Sequence, residues 1–379
     1  MRVPFLDLRA QDRAIGAEVR AAIADVLASQ QFILGPHVER FEAAMASFCG
    51  VTHAIGVASG TDALALALSA LGAGPGRAVL TTPLSFFATA SAIVRVGARP
   101  IFADVDPRTL NLDPGAAAAV LERAGGGVAG LLPVHLFGRL APMPALQVLA
   151  DRHGLWILED AAQALGARDA GVAAGAFGRA GCLSFYPSKN LGGLGDGGMV
   201  LTSDPELAAR VRQDRHQGQV APYVHGSLGL CSRLDALQAA ALAAKLHHLD
   251  EWNARRRTVA DWYTTLLAER GLAGRAGSPV VAPAPAGEAH VFHQYVVRAR
   301  ERDRLRAHLG AAGIGTQVYY ALPLHLQPAL AHLGVRAGAL PEAERAAAEV
   351  LALPIYPELT RAQVEAVVQA IADFYGAGA

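Results

Sequence analysis

The sequence predicts an α/β protein with a mostly parallel, seven-stranded sheet in a large domain and a smaller α+β domain at the C-terminus. Short apolar runs alternate with helical patterns from residue 53 to residue 202, which is typical of parallel strands joined by helices. The chain has 379 residues, more than one hydrophobic core usually supports. The pattern changes to a long helical stretch after residue 233. We therefore expect residues 1–250 to form the large domain and residues 251–379 the small one.

The expected elements follow one another in a regular order. Apolar runs predict the seven strands of the sheet at residues 53–57, 77–81, 99–104, 131–137, 155–159, 182–185 and 199–202. Helical patterns lie between them at residues 61–72, 88–96 and 143–153. No proline interrupts residues 233–270, so this stretch either forms one helix about 57 Å long or contains a kink. A proline-containing loop follows at residues 276–288, and the small domain completes the chain.

The composition excludes several classes of protein. Apolar residues make up 52% of the chain and charged residues 17%, which excludes a disordered protein. Lys and Arg number 33, as do Asp and Glu, and this neutrality argues against a nucleic-acid-binding protein. Because so few charges leave little repulsion between copies of the chain, we expect self-association.

Neither a membrane span nor a secretion signal is expected. The longest uncharged apolar run, residues 79–94, is too short to span a bilayer and contains Pro83. The three cysteines, Cys49, Cys182 and Cys231, show no metal or redox spacing, so we expect no metal site. A reduced, cytoplasmic location follows from this cysteine usage.

Three segments carry residues suited to chemistry, and each also has a simpler structural interpretation. Gly60 and Thr61 join a strand to a helix, where free N–H groups bind phosphate, although an ordinary helix cap would look the same. Asp160 ends a predicted strand at the edge where α/β proteins bind ligands, although it also suits a helix cap. Lys189 follows a buried strand and precedes five glycines in seven positions, whereas most lysines are simply solvated.

The glycine-rich segment also imitates a different motif. Residues 193–198 match G-x-G-x-x-G, the dinucleotide-binding fingerprint. That fingerprint must follow a strand and open a helix, whereas residues 199–202 predict another strand. We therefore do not expect a dinucleotide site.

Taken together, the three segments predict pyridoxal phosphate as the cofactor. This cofactor needs a lysine for a Schiff base, an aspartate that keeps its pyridine nitrogen protonated, and a phosphate-binding helix N-terminus. Lys189, Asp160 and the segment around Thr61 supply these groups in that combination.

Four motifs, GVASGTDALALAL, EDAAQALGA, SFYPSKNLGGLGDGG and SRLDALQAA, closely resemble the DegT/DnrJ/EryC1/StrS family of nucleotide-sugar aminotransferases. The resemblance extends from PFLDLRAQ near the start, through FILGPHVERFE, to LPIYPELTRAQV near the end. It implies the fold-type I aminotransferase architecture and a homodimer whose active sites lie at the subunit interface.

The resemblance also implies a role for individual residues. Lys189 would form the Schiff base and shuttle protons, Asp160 would pair with the pyridine nitrogen, and Gln163 would contact the O3′ side of the ring. The other implied cofactor-binding residues are Gly60, Thr61 and Ser184 at the phosphate, Asp62 beside them, Phe86 stacked on the ring, and Cys231. The implied substrate-binding residues are Arg233, reaching in from the neighbouring subunit, and Tyr319, Tyr320 and His325, although a structural proline-rich turn is the alternative for the last three.

The sequence departs from the family pattern at three positions. Cys231 replaces an asparagine that many relatives donate across the dimer to the cofactor phosphate, and a thiol is a weak donor. Losing one such hydrogen bond costs about 0.5–1.5 kcal/mol. Gln217 and Tyr319 stand where relatives often carry histidine, on the expected substrate side.

The resemblance predicts an aminotransferase that moves an amino group from L-glutamate to a nucleotide-linked 3-keto or 4-keto deoxyhexose. The stretch 313–316 with the PLHLQ motif is most similar to members that act at C3. Three alternatives remain open: an aminotransferase for a keto-cyclitol, a sugar dehydratase, and a catalytically silent regulatory protein. Lys189 counts against the dehydratase, because relatives with that activity carry histidine instead.

Overall fold

The computed structural model describes residues 2–376, which form alternating helices and strands. The α-helices are α1 (Leu8–Ser29), α2 (Pro36–Cys49), α3 (Gly60–Ala70), α4 (Ala88–Arg95), α5 (Pro114–Ala124), α6 (Met143–His153), α7 (Pro205–Asp214), α8 (Ala236–Leu246), α9 (Leu249–Glu269), α10 (Arg302–Ala311), α11 (Pro341–Glu349) and α12 (Arg361–Tyr375). The strands are β1 (His53–Val57), β2 (Ala78–Thr81), β3 (Arg99–Phe102), β4 (Val128–Leu132), β5 (Trp156–Asp160), β6 (Arg168–Asp169), β7 (Val172–Ala173), β8 (Ala180–Ser184), β9 (Gly198–Thr202), β10 (Gln219–Ala221), β11 (Val224–His225), β12 (Val280–Val281), β13 (Tyr295–Ala299) and β14 (Val350–Leu353).

The large sheet has seven strands in the order β1-β9-β8-β5-β4-β2-β3. Strand β9 runs antiparallel to both of its neighbours, β1 and β8, while the remaining pairs are parallel. Six strands therefore point the same way, and their carboxyl ends meet at one edge. This mostly parallel sheet confirms the predicted fold class, and it brings the ends of β1, β5 and β8 together where a ligand of an α/β protein binds.

The smaller C-terminal part is built on an antiparallel sheet in the order β12-β13-β14. Helices α9, α10 and α12 cover it, and Tyr263 of α9 stacks on Tyr295 of β13 with ring centroids 4.9 Å apart. Val3, near the N-terminus, is fully buried in this same core and pairs with Ile314. A division into domains at residue 250 stays a prediction, and the first residues of the chain pack with the C-terminal core.

Two element predictions differ from the structure. The strand expected at residues 131–137 ends at Leu132, because Pro133 has no N–H for the sheet and Phe137 adopts a left-handed conformation (φ 59°) within a 3-10 turn. The helical stretch 233–270 is divided into α8 and α9 at residues 247–248. There His248 stacks on Trp252 and contacts Glu18 of α1 through Nε2 at 3.0 Å. The structure thus has the break rather than one unbroken helix.

In the part of the chain that the structure describes, the helices are too short or too polar to cross a membrane.

Candidate active site

Two chemical groups meet at the carboxyl edge of the large sheet. Asp160 is the last residue of β5, and Lys189 follows β8, the neighbouring parallel strand. The backbone of Asp160 is held on both sides, since its N–H donates to the Pro133 carbonyl (2.9 Å) and its carbonyl accepts from the His135 N–H (3.0 Å). Adjacent parallel strands thus place the predicted acid and amine at one site.

The Asp160 carboxylate is buried, with 5% of the residue exposed. Burial raises its pKa, whereas hydrogen bonds from the Thr89 hydroxyl to Oδ2 (2.7 Å) and from the Ala162 N–H to Oδ1 (3.3 Å) lower it. The positive charge of Lys189 lowers it further. These interactions favour the ionised form that a protonated pyridine nitrogen would need.

Burial lowers the pKa of the Lys189 amine to about 8, and the negative charge of Asp160 opposes this shift. Each group thus influences the ionisation of the other. A lysine with a pKa near 8 has a substantial neutral fraction at physiological pH. The neutral amine is the form that attacks a carbonyl or accepts a proton.

The N-terminus of α3 forms a compact cradle. The Ser59 side chain caps the helix by accepting the Asp62 N–H (3.1 Å), which leaves the N–H groups of Gly60 and Thr61 ahead of the first intrahelical bonds. Gly60 lies against Ser184 so closely that a Cβ at residue 60 would come within 2.8 Å of the Ser184 Cβ. A helix N-terminus with free N–H groups beside a serine hydroxyl is suited to a phosphate.

The side chains of Gln163 and Tyr320 meet beside Asp160. Gln163 Nε2 donates to the Tyr320 hydroxyl (3.0 Å), while its Oε1 accepts the Phe137 N–H (2.7 Å). The Tyr320 ring lies 6.3 Å from the ring of Phe86, which is 59% exposed at the mouth of the site. The structure therefore brings the predicted residues Gln163, Tyr320 and Phe86 together, and Tyr319 packs edge-on against Tyr320 (5.7 Å).

Three predicted residues are engaged with neighbours in the same chain. The Asp62 carboxylate accepts the Ser232 hydroxyl (2.8 Å), so it fastens the start of α3 to the segment before α8. The guanidinium of Arg233 contacts His216 Nδ1 (3.0 Å) and the sulfur of the exposed Cys231 (3.0 Å). Their predicted cofactor and substrate roles stay predictions.

His325 lies apart from this group. Its side chain is buried, and Nε2 contacts Glu344 at 3.1 Å. The Phe102 ring packs 6.3 Å away, and Leu324, Leu330 and Leu340 complete the apolar surroundings. Its Nδ1 has no partner among the described residues. The structure thus places His325 in a packed turn, and its substrate-binding role stays a prediction.

The glycines after Lys189 allow the loop to fold on itself. A Cβ at Gly192 would lie 2.2 Å from the Pro187 carbonyl oxygen, and one at Gly198 would lie 2.3 Å from the backbone of Ser59. Gly198 also opens β9 rather than a helix, as the argument against a dinucleotide site requires. The glycines therefore serve close contacts between backbone segments that frame the site.

Sequence reasoning did not single out the residues that support Asp160. Thr89 bonds its carboxylate, and Ser85 bonds Thr89 (2.8 Å). Next to Asp160, Glu159 is fully buried and accepts hydrogen bonds from His135 Nε2 (2.7 Å) and from three backbone N–H groups (2.7–2.8 Å), those of Gly175, Phe177 and Gly178. The Ser-x-x-x-Thr spacing at a helix start was the available signal for Thr89. Partners far apart in sequence left no comparable signal for Glu159.

The donor set fits pyridoxal phosphate. The α3 cradle is suited to its phosphate, the Asp160 carboxylate to its ring nitrogen, Gln163 and Tyr320 to its ring oxygen, and the Lys189 amine to its aldehyde. A Cβ at Gly60 would clash with Ser184, and a Cβ at Gly198 would clash with the backbone of Ser59, so glycine is required at both positions beside the cradle.

Comparisons with known proteins agree with this assignment. The model of the DegT/DnrJ/EryC1/StrS aminotransferase family matches residues 13–372. A pleiotropic regulatory protein of Geobacillus stearothermophilus is 48% identical, over 99% of both chains, and a dTDP-3-amino-3,4,6-trideoxy-α-D-glucose transaminase of Streptomyces venezuelae is 47% identical, over 98% of this chain and 96% of its own.

Among solved structures, that of S. venezuelae DesV with a ketimine intermediate is similar with a TM-score of 0.94 and 46% identity, covering 100% of this chain and 99% of its own. The aminotransferases of this family depend on pyridoxal phosphate. Since the family model covers nearly the whole chain and the site carries the lysine, the aspartate and the phosphate cradle, the protein belongs to the DegT/DnrJ/EryC1/StrS family of pyridoxal-phosphate-dependent aminotransferases.

Proposed function

We propose that this aminotransferase transfers an amino group from L-glutamate to the 3-keto group of a nucleotide-linked deoxyhexose. The observation that carries the proposal is the similarity, over nearly the full length, to a transaminase named for a 3-amino deoxysugar nucleotide. The PLHLQ motif, which is most similar to members that act at C3, supports the same position. A cytoplasmic location suits three cysteines that are free in the described structure.

Each group of residues at the site would have a separate role in the reaction. The cofactor, when bound, supplies an electron sink for the charge that develops on the reacting carbon. Asp160 would hold its ring nitrogen protonated, and the cradle of Gly60, Thr61 and Ser184 would fix its phosphate. Lys189 Nζ would accept the proton from the α-carbon of the donor and deliver it to the C4′ position, a role that its pKa near 8 suits.

We also propose that the protein forms a homodimer with shared active sites. Apolar side chains stand exposed around the mouth of the site, at Phe86 and Tyr186, and on the hairpin segment 219–230, where Tyr223 and Leu228 are almost wholly exposed. Large apolar side chains that are exposed to this degree would be buried in a protein interface. We expect a second copy of the chain to cover them and to contribute Arg233 to the neighbouring site.

The name of one relative supports a second candidate function, regulation without catalysis. The regulatory name of the Geobacillus protein favours a role without catalysis. Yet this chain retains Lys189 with a lowered pKa and a buried Asp160 directed at the same site. A purely regulatory protein has no need for a neutral lysine amine, so the catalytic proposal is preferred.

Acceptor preference is tested with the purified holoenzyme and L-glutamate. The acceptors are a dTDP-linked 3-keto-6-deoxyhexose, its 4-keto isomer and a keto-inositol, and the products are identified by mass. We expect amination of the 3-keto sugar nucleotide at a rate at least tenfold above the other two. Preference for the 4-keto isomer would overturn the position, preference for the keto-inositol would overturn the sugar nucleotide, and no amination of any of them would favour the regulatory role.

A further inference from the structure

A chain of two buried hydroxyl groups ends at the Asp160 carboxylate. Ser85 Oγ lies 2.8 Å from Thr89 Oγ1, and Thr89 Oγ1 lies 2.7 Å from Asp160 Oδ2. All three side chains are buried, with 3%, 0% and 5% of the residues exposed. Hydrogen bonds as short as these between buried groups are shielded from competing water.

The Asp160 carboxylate, when ionised, fixes the direction of these hydrogen bonds. An ionised aspartate only accepts hydrogen bonds, so the single hydroxyl proton of Thr89 must point at Asp160. The oxygen of Thr89 is then free to accept, and Ser85 becomes the donor. Each hydroxyl therefore polarises the next one towards the carboxylate, which strengthens both bonds.

The other groups around Asp160 interact with its carboxylate less directly than the Thr89 hydroxyl does. The Lys189 amine faces the carboxylate and favours its ionised form only while the amine is charged. His135 Nδ1 accepts the Ala141 N–H (3.0 Å), so its ring proton lies on Nε2 and is directed at Glu159 rather than at Asp160. The remaining neighbours are the buried thiol of Cys182 and the buried hydroxyl of Tyr320, and burial raises the pKa of both groups. The Thr89 hydroxyl is thus the shortest direct hydrogen bond that the described chain gives to the carboxylate.

We propose that Thr89, oriented by Ser85, is a positioning residue that keeps the Asp160 carboxylate ionised and aimed at the ring nitrogen of the cofactor. The proposal rests on the assigned role of Asp160 in the aminotransferase. It also explains the layout of one segment, because residues 85–89 supply both the hydroxyl chain and Phe86, the aromatic ring beside Tyr320. Residues 85–89, which lead into α4, therefore both hydrogen-bond to Asp160 and present the aromatic ring of Phe86.

The test compares Thr89→Val and Thr89→Ser in holoenzyme carrying pyridoxal phosphate labelled with ¹⁵N in the ring. The ¹⁵N chemical shift reports whether the ring nitrogen is protonated, and it requires no substrate and no turnover. We expect Thr89→Val, which keeps the shape of the side chain, to lose the ring proton at a pH about one unit or more lower than the wild-type enzyme does. Thr89→Ser should restore the wild-type shift, and Thr89→Val should lower kcat about tenfold or more with little change in KM.

Thr81→Val is the matched control. Thr81 is an equally buried threonine whose hydroxyl donates to the Leu132 carbonyl (2.7 Å) on the neighbouring strand, without contact to Asp160. It should destabilise the fold comparably and leave the ¹⁵N shift unchanged. If Thr89→Val does not fold, Ser85→Ala provides the same comparison with a smaller shift in the same direction.

Two outcomes would overturn the proposal and tell its failure from that of the proposed function. A ring nitrogen that titrates identically in wild type and Thr89→Val would remove the role of Thr89 alone. An unchanged shift in Asp160→Asn would remove the assignment of Asp160 and the proposal with it. Neither outcome depends on which keto substrate the enzyme uses, because the acceptor is absent from the measurement.

Discussion

Lys189 and Asp160 set the chemistry of the site through their effects on one another. Burial pulls the lysine towards its neutral form and the aspartate towards its protonated form, while the attraction between the two charges opposes both shifts. The lysine ends with a pKa near 8, where a small change in its surroundings alters how much of it is neutral. Hydrogen bonds from Thr89 and Ala162 oppose the effect of burial, which raises the pKa of Asp160.

The first prediction concerns the pH dependence of cofactor binding. The apoenzyme combines with pyridoxal phosphate through the neutral Lys189 amine, so the second-order rate should rise about tenfold per pH unit and level off above about pH 8. The measurement is stopped-flow absorbance of the apoenzyme mixed with the cofactor between pH 6 and 10. A rate that keeps rising to pH 10 would show a lysine with an ordinary pKa and contradict the burial argument.

The second prediction concerns Tyr320. Tyr320→Phe removes the acceptor of Gln163 Nε2, and the loss of one neutral hydrogen bond of about 0.5–1.5 kcal/mol should weaken cofactor binding about threefold to tenfold. Fluorescence titration of the apoenzyme measures the Kd. The neighbouring Tyr319→Phe is the control, since Gln163 bonds Tyr320, and equal effects of the two variants would refute the specific contact.

Site residues could be predicted from the sequence where the residue type is unusual for its local sequence context. A lysine between an aromatic strand and a glycine-rich loop stands out, as does an aspartate at a strand end. Thr89 and Glu159 did not stand out, because buried threonines and glutamates acquire their roles from partners about 70 residues away or across a loop. His325 contacts Glu344 in a packed turn, and its predicted role in substrate binding stays a prediction.

At the scale of elements, helix α3 links the fold to the cofactor. Its first turn lies against Ser184 of β8 and the backbone of Gly198 of β9, with no room for a Cβ at residues 60 or 198. Ser59 caps the helix, and Asp62 ties it to Ser232. The phosphate cradle is therefore rigid because three segments of chain meet at backbone distance.

The third prediction tests this close packing. Gly60→Ala places a Cβ 2.8 Å from Ser184, so α3 must shift, which should destabilise the protein by about 1–3 kcal/mol and abolish most of the stabilisation that added cofactor gives. Thermal unfolding with and without pyridoxal phosphate measures both effects. Gly310→Ala is the control, because that glycine lies in helix α10 with open space around it, and its Tm should stay equal or rise slightly. Full cofactor stabilisation in Gly60→Ala would contradict the cradle.

The fourth prediction concerns the support beneath β5. Glu159→Gln replaces a carboxylate that accepts four hydrogen bonds with an amide whose NH₂ group faces donors, so the free energy of unfolding should fall by about 2–4 kcal/mol. Denaturant unfolding measures the change, with Glu122→Gln on the exposed side of α5 as the control. A loss below about 0.5 kcal/mol, the size of an ordinary surface substitution, would show that these bonds are replaced by water.

Element predictions succeeded where periodicity and turn residues agree. The strand 53–57 and the helix 143–153 match the structure at both ends, because Gly and Pro bound them clearly. The strand at 131–137 was drawn too long, since a continuous apolar run hides the proline that ends the pairing. The sequence has no proline or glycine at the break between α8 and α9, so the position of the break could not be predicted. At this break His248 packs against Trp252 and contacts Glu18.

At the scale of the whole molecule, the exposed apolar side chains point to assembly. The chain carries no net charge, and Tyr223, Leu228 and Phe86 expose apolar surface on the segments around the site. Sequence periodicity predicts which faces of an element are buried, and the exposed apolar side chains indicate which of the remaining faces a second copy of the chain would bury.

The fifth prediction tests the shared site by mixing two inactive variants. If Arg233 completes the neighbouring site, Lys189→Ala and Arg233→Ala dimers that are dissociated and reassociated together should regain about a quarter of the wild-type activity, since half of the random dimers carry one intact site of two. Unmixed samples of each variant are the controls. If mixing restores no activity while mass spectrometry shows that mixed dimers have formed, Arg233 serves its own subunit.

The central claim is that Lys189 makes this protein an aminotransferase for a keto sugar nucleotide. The most direct measurement follows nitrogen from ¹⁵N-labelled L-glutamate into the product of a dTDP-linked 3-keto-6-deoxyhexose by mass spectrometry, in the wild-type enzyme and in Lys189→Ala. The account predicts a labelled amino sugar from the wild-type enzyme and a rate at least a thousandfold lower, or none, from the variant. Unlabelled product, no amino sugar from the wild-type enzyme, or equal transfer by Lys189→Ala would contradict it.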